Sequence, residues 1–115
     1  MAYEVILSEE ADHDLELFFD HLVETYLTFG ESLQDAFGRA EKRVAAVKSD
    51  MKSLSLAPYQ GTLQSDLRSN LRHVTKRQAI FYFEIDEEHL AVQVLAVFYG
   101  GQDHQRHMTA RLRTI

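Results

Sequence analysis

The stretch LQDAFGRAEKRVAAVKSDMKSL, residues 33–54, carries the clearest periodicity of the chain. Its apolar residues alternate steps of four and three positions without a break, which is the spacing of one face of an α-helix. They are Leu33, Phe37, Ala40, Val44, Val47, Met51 and Leu54. Because a single amphipathic helix cannot bury its apolar face alone in water, this stretch predicts a second element packed against it.

The preceding residues supply that element. Ser8 is a suitable N-cap, and the acidic residues that follow it suit the positive end of a helix dipole. Apolar residues recur at helical spacing from Ala11 to Phe29, and Gly30 provides a C-cap. The two helices predict an antiparallel hairpin. A coiled coil shares this pattern, but about three heptads beside strand-like sequence favour a hairpin within one chain.

Strand-like runs lie on both sides of the hairpin. Residues 3–7 form one before it, and the sequence Pro58-Tyr59-Gln60-Gly61 ends the helical half. Residues 62–70 are polar and predict a loop with about one turn of helix. Three further strands are predicted, separated by short turns that make them antiparallel neighbours: Leu71–Thr75, Ala79–Ile85 and Leu90–Tyr99. A short helix follows over His104–Leu112, held by Met108 and Leu112.

This order predicts an α+β fold in a single domain of residues 1–115. The chain begins with an N-terminal strand, continues with an antiparallel helical hairpin packed on a mainly antiparallel four-stranded sheet, and ends with a short C-terminal helix. Alternation in the third strand places Phe81 and Phe83 on one face and Ile80 and Tyr82 on the other. Both faces are therefore apolar, and the face opposite the hairpin predicts a cover, for which a partner protein is a candidate.

The composition indicates one soluble globular domain, with 115 residues of which 45% are hydrophobic and 26% charged. The chain has no cysteine, which excludes disulfides, thiolate zinc sites and cysteine nucleophiles. We find neither a secretory signal pattern nor a run of about 18 apolar residues. These features predict a cytoplasmic protein that does not engage a membrane.

The net charge of −6 is unevenly distributed. Residues 1–38 contain ten acidic residues and no Lys or Arg, whereas residues 39–80 contain nine basic residues and three acidic ones. Two arrangements follow from this asymmetry. The folded molecule has an acidic and a basic side, or the two blocks pair with each other across the hairpin.

Basic residues cluster at the predicted strand 71–75. Arg68 precedes it, Arg72 lies within it and Arg77 follows it, and alternation puts Arg72 on the face opposite His73. Such residues suit phosphate groups, which they position without reading base sequence, so sequence-specific nucleic-acid binding is not expected. The alternative is a charged edge strand that prevents aggregation.

Few residues suggest metal or cofactor chemistry. His104 and His107 have the spacing of a helical metal pair, but a metal site requires three or four ligands, so capping or solvated histidines are predicted. The chain has no glycine-rich phosphate loop and no G-x-S-x-G motif. We therefore expect neither a metal nor a cofactor.

The order of motifs resembles the RelE/ParE toxin superfamily of bacterial toxin–antitoxin, or plasmid stabilisation, systems. The motifs are YEVILSEEA at 3–11, LAPYQG at 56–61, LRHV at 71–74, IFYFEI at 80–85 and VLAVFYGGQDH at 94–104. They span nearly the whole chain, and the ParE-like branch is the more similar one.

The resemblance implies a toxin held silent by a cognate, ParD-like antitoxin whose tail wraps the hairpin and sheet. The ParE-like branch implies inhibition of DNA gyrase without chemistry by the toxin, and the target-binding candidates are Arg68, Arg72, Arg77 and Arg111. The RelE-like branch implies ribosome-dependent mRNA cleavage, for which Arg72, Arg77 and Tyr99 are catalytic candidates. An inactive member that only binds its partner is a third alternative.

The last strand departs from the family pattern. It ends Tyr99-Gly100-Gly101, where many relatives have His, Gly and Arg. RNA cleavage requires a base, an acid and cations for the developing charge, and a tyrosine with a pKa of about 10 is a poor base. This departure and the net acidity favour the gyrase inhibitor.

Overall fold

A computed structural model describes residues 2–113 of the chain. Met1, Thr114 and Ile115, which the predicted domain includes, lie outside the described residues. The elements are β1 (Glu4–Leu7), α1 (Glu9–Thr28), α2 (Leu33–Lys52), a 3₁₀ turn (Ser53–Ser55), β2 (Thr62–Leu63), β3 (Leu71–Lys76), β4 (Ala79–Asp86), β5 (Ala91–Tyr99) and α3 (His104–Arg113). The predicted α+β fold class is confirmed.

The sheet has the strand order β1-β5-β4-β3-β2. β1 runs parallel to β5, and the other pairs are antiparallel. The sheet therefore has five strands instead of the predicted four. The additional strand, β2, has two residues, Thr62 and Leu63, which pair with His73 and Arg72. A pair this short has no alternation for sequence analysis to detect.

The helical hairpin begins and ends where the caps predict. Ser8 Oγ accepts a hydrogen bond from the Ala11 amide at 3.0 Å, and Ser32 Oγ accepts one from the Asp35 amide at 3.1 Å. Gly30 follows the last residues of α1 and donates to the Leu27 carbonyl. These bonds satisfy amides and carbonyls that a helix end leaves without partners.

The main core lies between the hairpin and one face of the sheet. The buried residues of the two helices that contribute to it are Ala11, Leu15, Phe18, Val47 and Met51, and those of the sheet include Phe81, Phe83, Val92, Val94 and Val97. Phe81 and Phe83 share this face, as strand alternation predicts.

The opposite face of the sheet is covered by the chain itself. The predicted cover of this face is present, but it is α3 and not the candidate partner protein, and Met108 is fully buried there. The buried cluster under α3 consists of Leu71, Ile80, Tyr82, Ala96, Phe98 and Met108, with Leu67, Leu95 and Leu112 packed against it. An antitoxin is thus not required to cover this face.

No helix within residues 2–113 combines the length and apolar composition needed to cross a membrane.

Candidate functional site

Arg72 lies at the end of the sheet where β2 and β3 meet. Its backbone is paired with Phe83, so its side chain is on the hairpin face. The guanidinium lies 5.3 Å from the centre of the Tyr59 ring, and Nη1 donates to the Tyr59 carbonyl at 3.3 Å. Because Tyr59 is 52% exposed, this cation–π pair presents a charged and aromatic patch to solvent.

Arg68 and Arg77 each form an ion pair. Arg68 Nε is 3.1 Å from Glu84 on β4, and Arg77 Nε is 3.2 Å from Asp50 on α2. Their side chains remain 44% and 64% exposed, so both stay accessible to a partner. Pairing between the acidic and basic blocks occurs where Arg39 binds Glu31.

Arg111 holds α3 against the rest of the fold. Its guanidinium donates to both carboxylate oxygens of Asp14 on α1, at 2.7 and 2.8 Å, and to the Leu95 carbonyl at 3.1 Å. Asp14 is 5% exposed and also accepts the Val97 amide at 2.9 Å. The hydrogen bonds with Asp14 raise the pKa of Arg111 further above its ordinary value.

The pair of Asp14 and Arg111 occupies the position of a missing strand. β1 pairs with β5 only as far as Val94, and β5 continues to Tyr99. The Val97 amide and Leu95 carbonyl beyond that point bond the two side chains instead. A sheet edge that would otherwise be unsatisfied is thereby completed.

Tyr99 packs under α1. Its ring stacks on His21 with centres 3.8 Å apart and meets Phe18 edge-on at 5.8 Å. Arg72 lies level with Val94 of β5 through Phe83, about 17 Å along the strands from Tyr99 at ~3.4 Å per residue. Arg72 is thus far from Tyr99, whereas Arg77 lies in the turn that precedes Ala79, the residue paired with Tyr99, and its guanidinium binds Asp50.

A second group of polar side chains lies under the start of α3. The Tyr82 hydroxyl is 2.8 Å from His104 Nδ1, and the rings of His73 and His104 have centres 5.6 Å apart. His73 Nδ1 is buried without a hydrogen-bond partner. The two imidazoles and the phenol have the functional groups for proton transfer, but Tyr82 is fully buried.

Burial changes the acidity of this group. It lowers the pKa of His73 below the ordinary value of 6.5, and the neighbouring His104 adds to this effect. Burial also raises the pKa of the Tyr82 hydroxyl to about 12, with contributions from Asp103 and Asp66. Tyr82 is therefore a neutral phenol in the physiological range. Within residues 2–113 no group of three or more potential metal ligands occurs.

We expect mild acid to destabilise the protein through His73. A histidine whose pKa is lowered by folding contributes stability above pH 6.5, and this contribution is lost as the pH falls through its native pKa. The urea midpoint of the wild type should therefore fall between about pH 7.5 and 5.

His73→Gln is expected to flatten this dependence. His13→Gln is the matched control, because His13 is exposed and pairs only with Glu16 across one helical turn. Equal slopes in the wild type and His73→Gln would show that His73 does not couple folding to pH.

Sequence reasoning did not identify Asp14, Tyr82 and His104 as interacting residues. Asp14 is one of ten acidic residues in a block without bases, and its burial follows from the tertiary fold. The placement of His73 beside Tyr82 depends on the register of β3 and β4, since alternation gives the face of a residue but not its cross-strand neighbour. The signal available in the sequence was that strand alternation puts polar residues of neighbouring strands on the same face of the sheet.

No protein-family model matches the sequence, and no curated protein matches it. Solved structures do match. The chromosomal ParDE toxin–antitoxin system from P. aeruginosa matches with a TM-score of 0.65 and 18% identity, over 86% of this chain and 97% of that chain. The toxin–antitoxin complex RelBE2 from Mycobacterium tuberculosis gives 0.62 and 19%, over 89% and 95%.

A third match is a mutant of the E. coli toxin RelE in the free state. Its TM-score is 0.55 at 13% identity, and the likeness covers 100% of both chains. At these identities the comparison establishes the fold. Two of the three structures are of toxin–antitoxin systems.

Proposed function

Starting from a chain that has the RelE/ParE toxin fold, we propose that this protein is the toxin of a type II toxin–antitoxin pair and acts as a ParE-like inhibitor of DNA gyrase. The fold likeness over 86–100% of the chain supports the toxin assignment. A ParD-like antitoxin encoded nearby is the proposed neutralising partner. We expect the toxin to act in the cytoplasm.

The separation of Arg72 from Tyr99 along the sheet supports inhibition by binding. Arg72 lies on Tyr59, Arg77 on Asp50, and Tyr99 is stacked on His21. An enzyme that cleaves RNA needs its base, acid and cations around one phosphate. A binding protein needs only exposed groups distributed over an interface. This separation is the observation that carries the proposal.

The target-binding residues we propose are Arg68, Arg72 and Arg77, together with Arg111. The first three are at least partly exposed and can exchange or share their present carboxylate or carbonyl partners. Arg111 has a structural role as well, because it clamps buried Asp14. Substitution of Arg111 therefore changes folding along with any contact to a target.

The experiment is induction of the protein in bacteria, with plasmid supercoiling and DNA breakage scored against message half-life. We expect altered supercoiling with normal message decay. In an assay with purified gyrase, Arg72→Ala should weaken the binding free energy of the inhibitor by about 1–3 kcal/mol, because one interfacial charge is lost. The loss should depend on salt concentration. Tyr99→Phe, which keeps the stacked ring, should leave inhibition nearly unchanged.

Lys42→Ala is the control for loss of a positive charge, since Lys42 is exposed on α2 outside the proposed set. It should leave inhibition unchanged. Rapid message cleavage with unaltered supercoiling would contradict the gyrase proposal.

The second candidate function is ribosome-dependent mRNA cleavage. One observation favours it, namely the Tyr82 hydroxyl at 2.8 Å from His104 with His73 beside them. This chemistry requires α3 to move, because Tyr82 is buried beneath it. Loss of message cleavage in both His73→Ala and His104→Ala, with folding retained, would support this alternative.

A further inference from the structure

A depression lies at the end of the sheet where β3 begins and β4 ends. Its volume is about 370 Å³, within the size range of small-molecule sites. Six residues line it: Tyr59, Leu63, Asn70, Arg72, Ile85 and Glu87. Three of them are apolar or aromatic and three are polar, a combination that is typical of a ligand site. We call this depression the strand-end pocket.

Arg72 brings a positive charge to the pocket that this chain does not neutralise. Within residues 2–113 it forms no ion pair. Its contacts are with the ring and the carbonyl of Tyr59, and the carbonyl takes one of the five N–H donors of the guanidinium. The cation–π contact holds the guanidinium in place. The remaining donors are available to a phosphate or carboxylate group.

Glu87 is an unpaired anion in the same pocket. The two other carboxylates near the end of β4 have partners, since Glu84 is 3.1 Å from Arg68 Nε and Asp86 is 2.8 Å from His89 Nδ1. Glu87 is exposed and forms no ion pair in the part of the chain that the structure describes. Because a carboxylate only accepts hydrogen bonds, a ligand at this end must supply donors.

The register of the sheet separates the two charges. Arg72 is paired with Phe83, and Glu87 lies four positions beyond Phe83, just after the end of β4. At ~3.4 Å per residue, the two backbone positions are about 14 Å apart along the strand. A free amino acid spans about 3.6 Å at most, which is too short to reach from one charge to the other. The ligand must therefore be elongated, with an anion at one end and hydrogen-bond donors at the other.

We propose that the strand-end pocket binds a guanine nucleotide. The phosphate would contact Arg72, and the base would lie against Leu63 and Ile85. Guanine carries adjacent donors, N1–H and the N2 amino group, which match the two oxygens of the Glu87 carboxylate. Asn70 has an amide that can donate to the guanine O6 acceptor. The inference goes beyond the proposed function, because it depends on neither gyrase nor growth arrest.

The test is a titration of the full chain with guanosine monophosphate, followed by nuclear magnetic resonance. The chain has no glycine-rich phosphate loop, so one guanidinium holds the phosphate and we expect a dissociation constant of about 0.1–1 mM. Adenosine monophosphate lacks the donor pair and should bind at least about tenfold more weakly. Inosine monophosphate, which lacks only the N2 amino group, should fall between the two.

Two variants separate the phosphate contact from the base contact. Arg72→Ala should remove the advantage of guanosine monophosphate over guanosine, because the phosphate has lost its cation. Glu87→Gln should remove the advantage of guanosine monophosphate over adenosine monophosphate. Arg106→Ala and Glu88→Gln are the matched controls, since both residues are exposed and lie outside the pocket lining. Both controls should keep the affinity of the wild type, and circular dichroism confirms that all four variants fold.

Three results would overturn the inference. They are absence of binding by guanosine monophosphate, equal affinity for the guanine and adenine nucleotides, and an unchanged preference in Glu87→Gln. Tighter binding of a guanine-containing RNA oligonucleotide than of the mononucleotide would also overturn it, because the ligand would then be a strand.

These outcomes are distinguishable from those of the proposed function. Arg72 belongs to both proposals, whereas Glu87 belongs only to this one, so Glu87→Gln should lose base preference and still inhibit gyrase. A protein that binds guanosine monophosphate but does not alter supercoiling would retain the pocket and refute the gyrase proposal. The reverse outcome would retain the gyrase proposal and refute the pocket.

Discussion

Replacement of Asp14 by alanine should lower the free energy of unfolding by about 3–5 kcal/mol, the range for removing one partner of a buried ion pair. The carboxylate is 5% exposed and accepts two hydrogen bonds from Arg111 and one from the Val97 amide. Its removal takes the carboxylate away from a partly buried guanidinium and leaves the Val97 amide without its acceptor. Urea unfolding near neutral pH measures the loss.

Two comparisons separate this effect from ordinary side-chain truncation. The double variant Asp14→Leu with Arg111→Met should be less destabilised than either single variant, because it leaves no uncompensated charge. Arg39→Ala removes the Glu31 ion pair, in which Arg39 is 59% exposed, and should cost less than about 1 kcal/mol. A loss below about 1 kcal/mol in Asp14→Ala would show that this pair does not hold α3.

The structural role of Arg111 affects how experiments on the proposed toxicity are interpreted. Arg111 contacts α1 through Asp14 and β5 through the Leu95 carbonyl. A loss of toxicity in Arg111→Ala can therefore arise from release of α3 and exposure of the apolar face below it. Arg72, whose contacts are with exposed Tyr59, is the cleaner probe of target binding.

The helical hairpin was predictable from sequence because its signals are local. The apolar spacing in residues 33–54 and the caps Ser8 and Gly30 act within a few residues of one another, and the structure confirms the resulting helices. Strand alternation likewise placed Phe81 and Tyr82 on opposite faces correctly.

The cover of the second face was not predictable in the same way. Met108 and Leu112 predicted a short helix over His104–Leu112 without indicating which surface it covers. The interactions that hold α3 connect residues far apart in sequence: Arg111 with Asp14, 97 positions away, and His104 with Tyr82, 22 positions away. Because these contacts depend on the completed fold, residue spacing could not show that α3 closes the second face.

Gly61→Ala is expected to be the most damaging glycine substitution, with a loss of about 2–5 kcal/mol from backbone strain and overpacking combined. Gly61 has φ +80°, and a Cβ atom there would clash with the His73 carbonyl oxygen and lie 2.9 Å from Val74 Cβ. Relief of this clash requires the backbone at residue 61 to move away from β3. Since β2 begins at the next residue, we expect its pairing with β3 to be lost, and hydrogen exchange at the β2 amides together with urea unfolding would measure this.

Two other glycines separate the contributions to that loss. Gly101 has φ +96°, and a Cβ atom there would have no neighbour within 4 Å, so Gly101→Ala should cost only the left-handed strain of about 1–2 kcal/mol. Gly38 has neither feature, and Gly38→Ala should stabilise α2 by about 1 kcal/mol. The order Gly61, Gly101, Gly38 from most to least destabilised follows from close approach and backbone conformation. Equal losses in Gly61→Ala and Gly101→Ala would mean that the approach of Gly61 to β3 contributes nothing to stability, and that β2 tolerates displacement from the sheet.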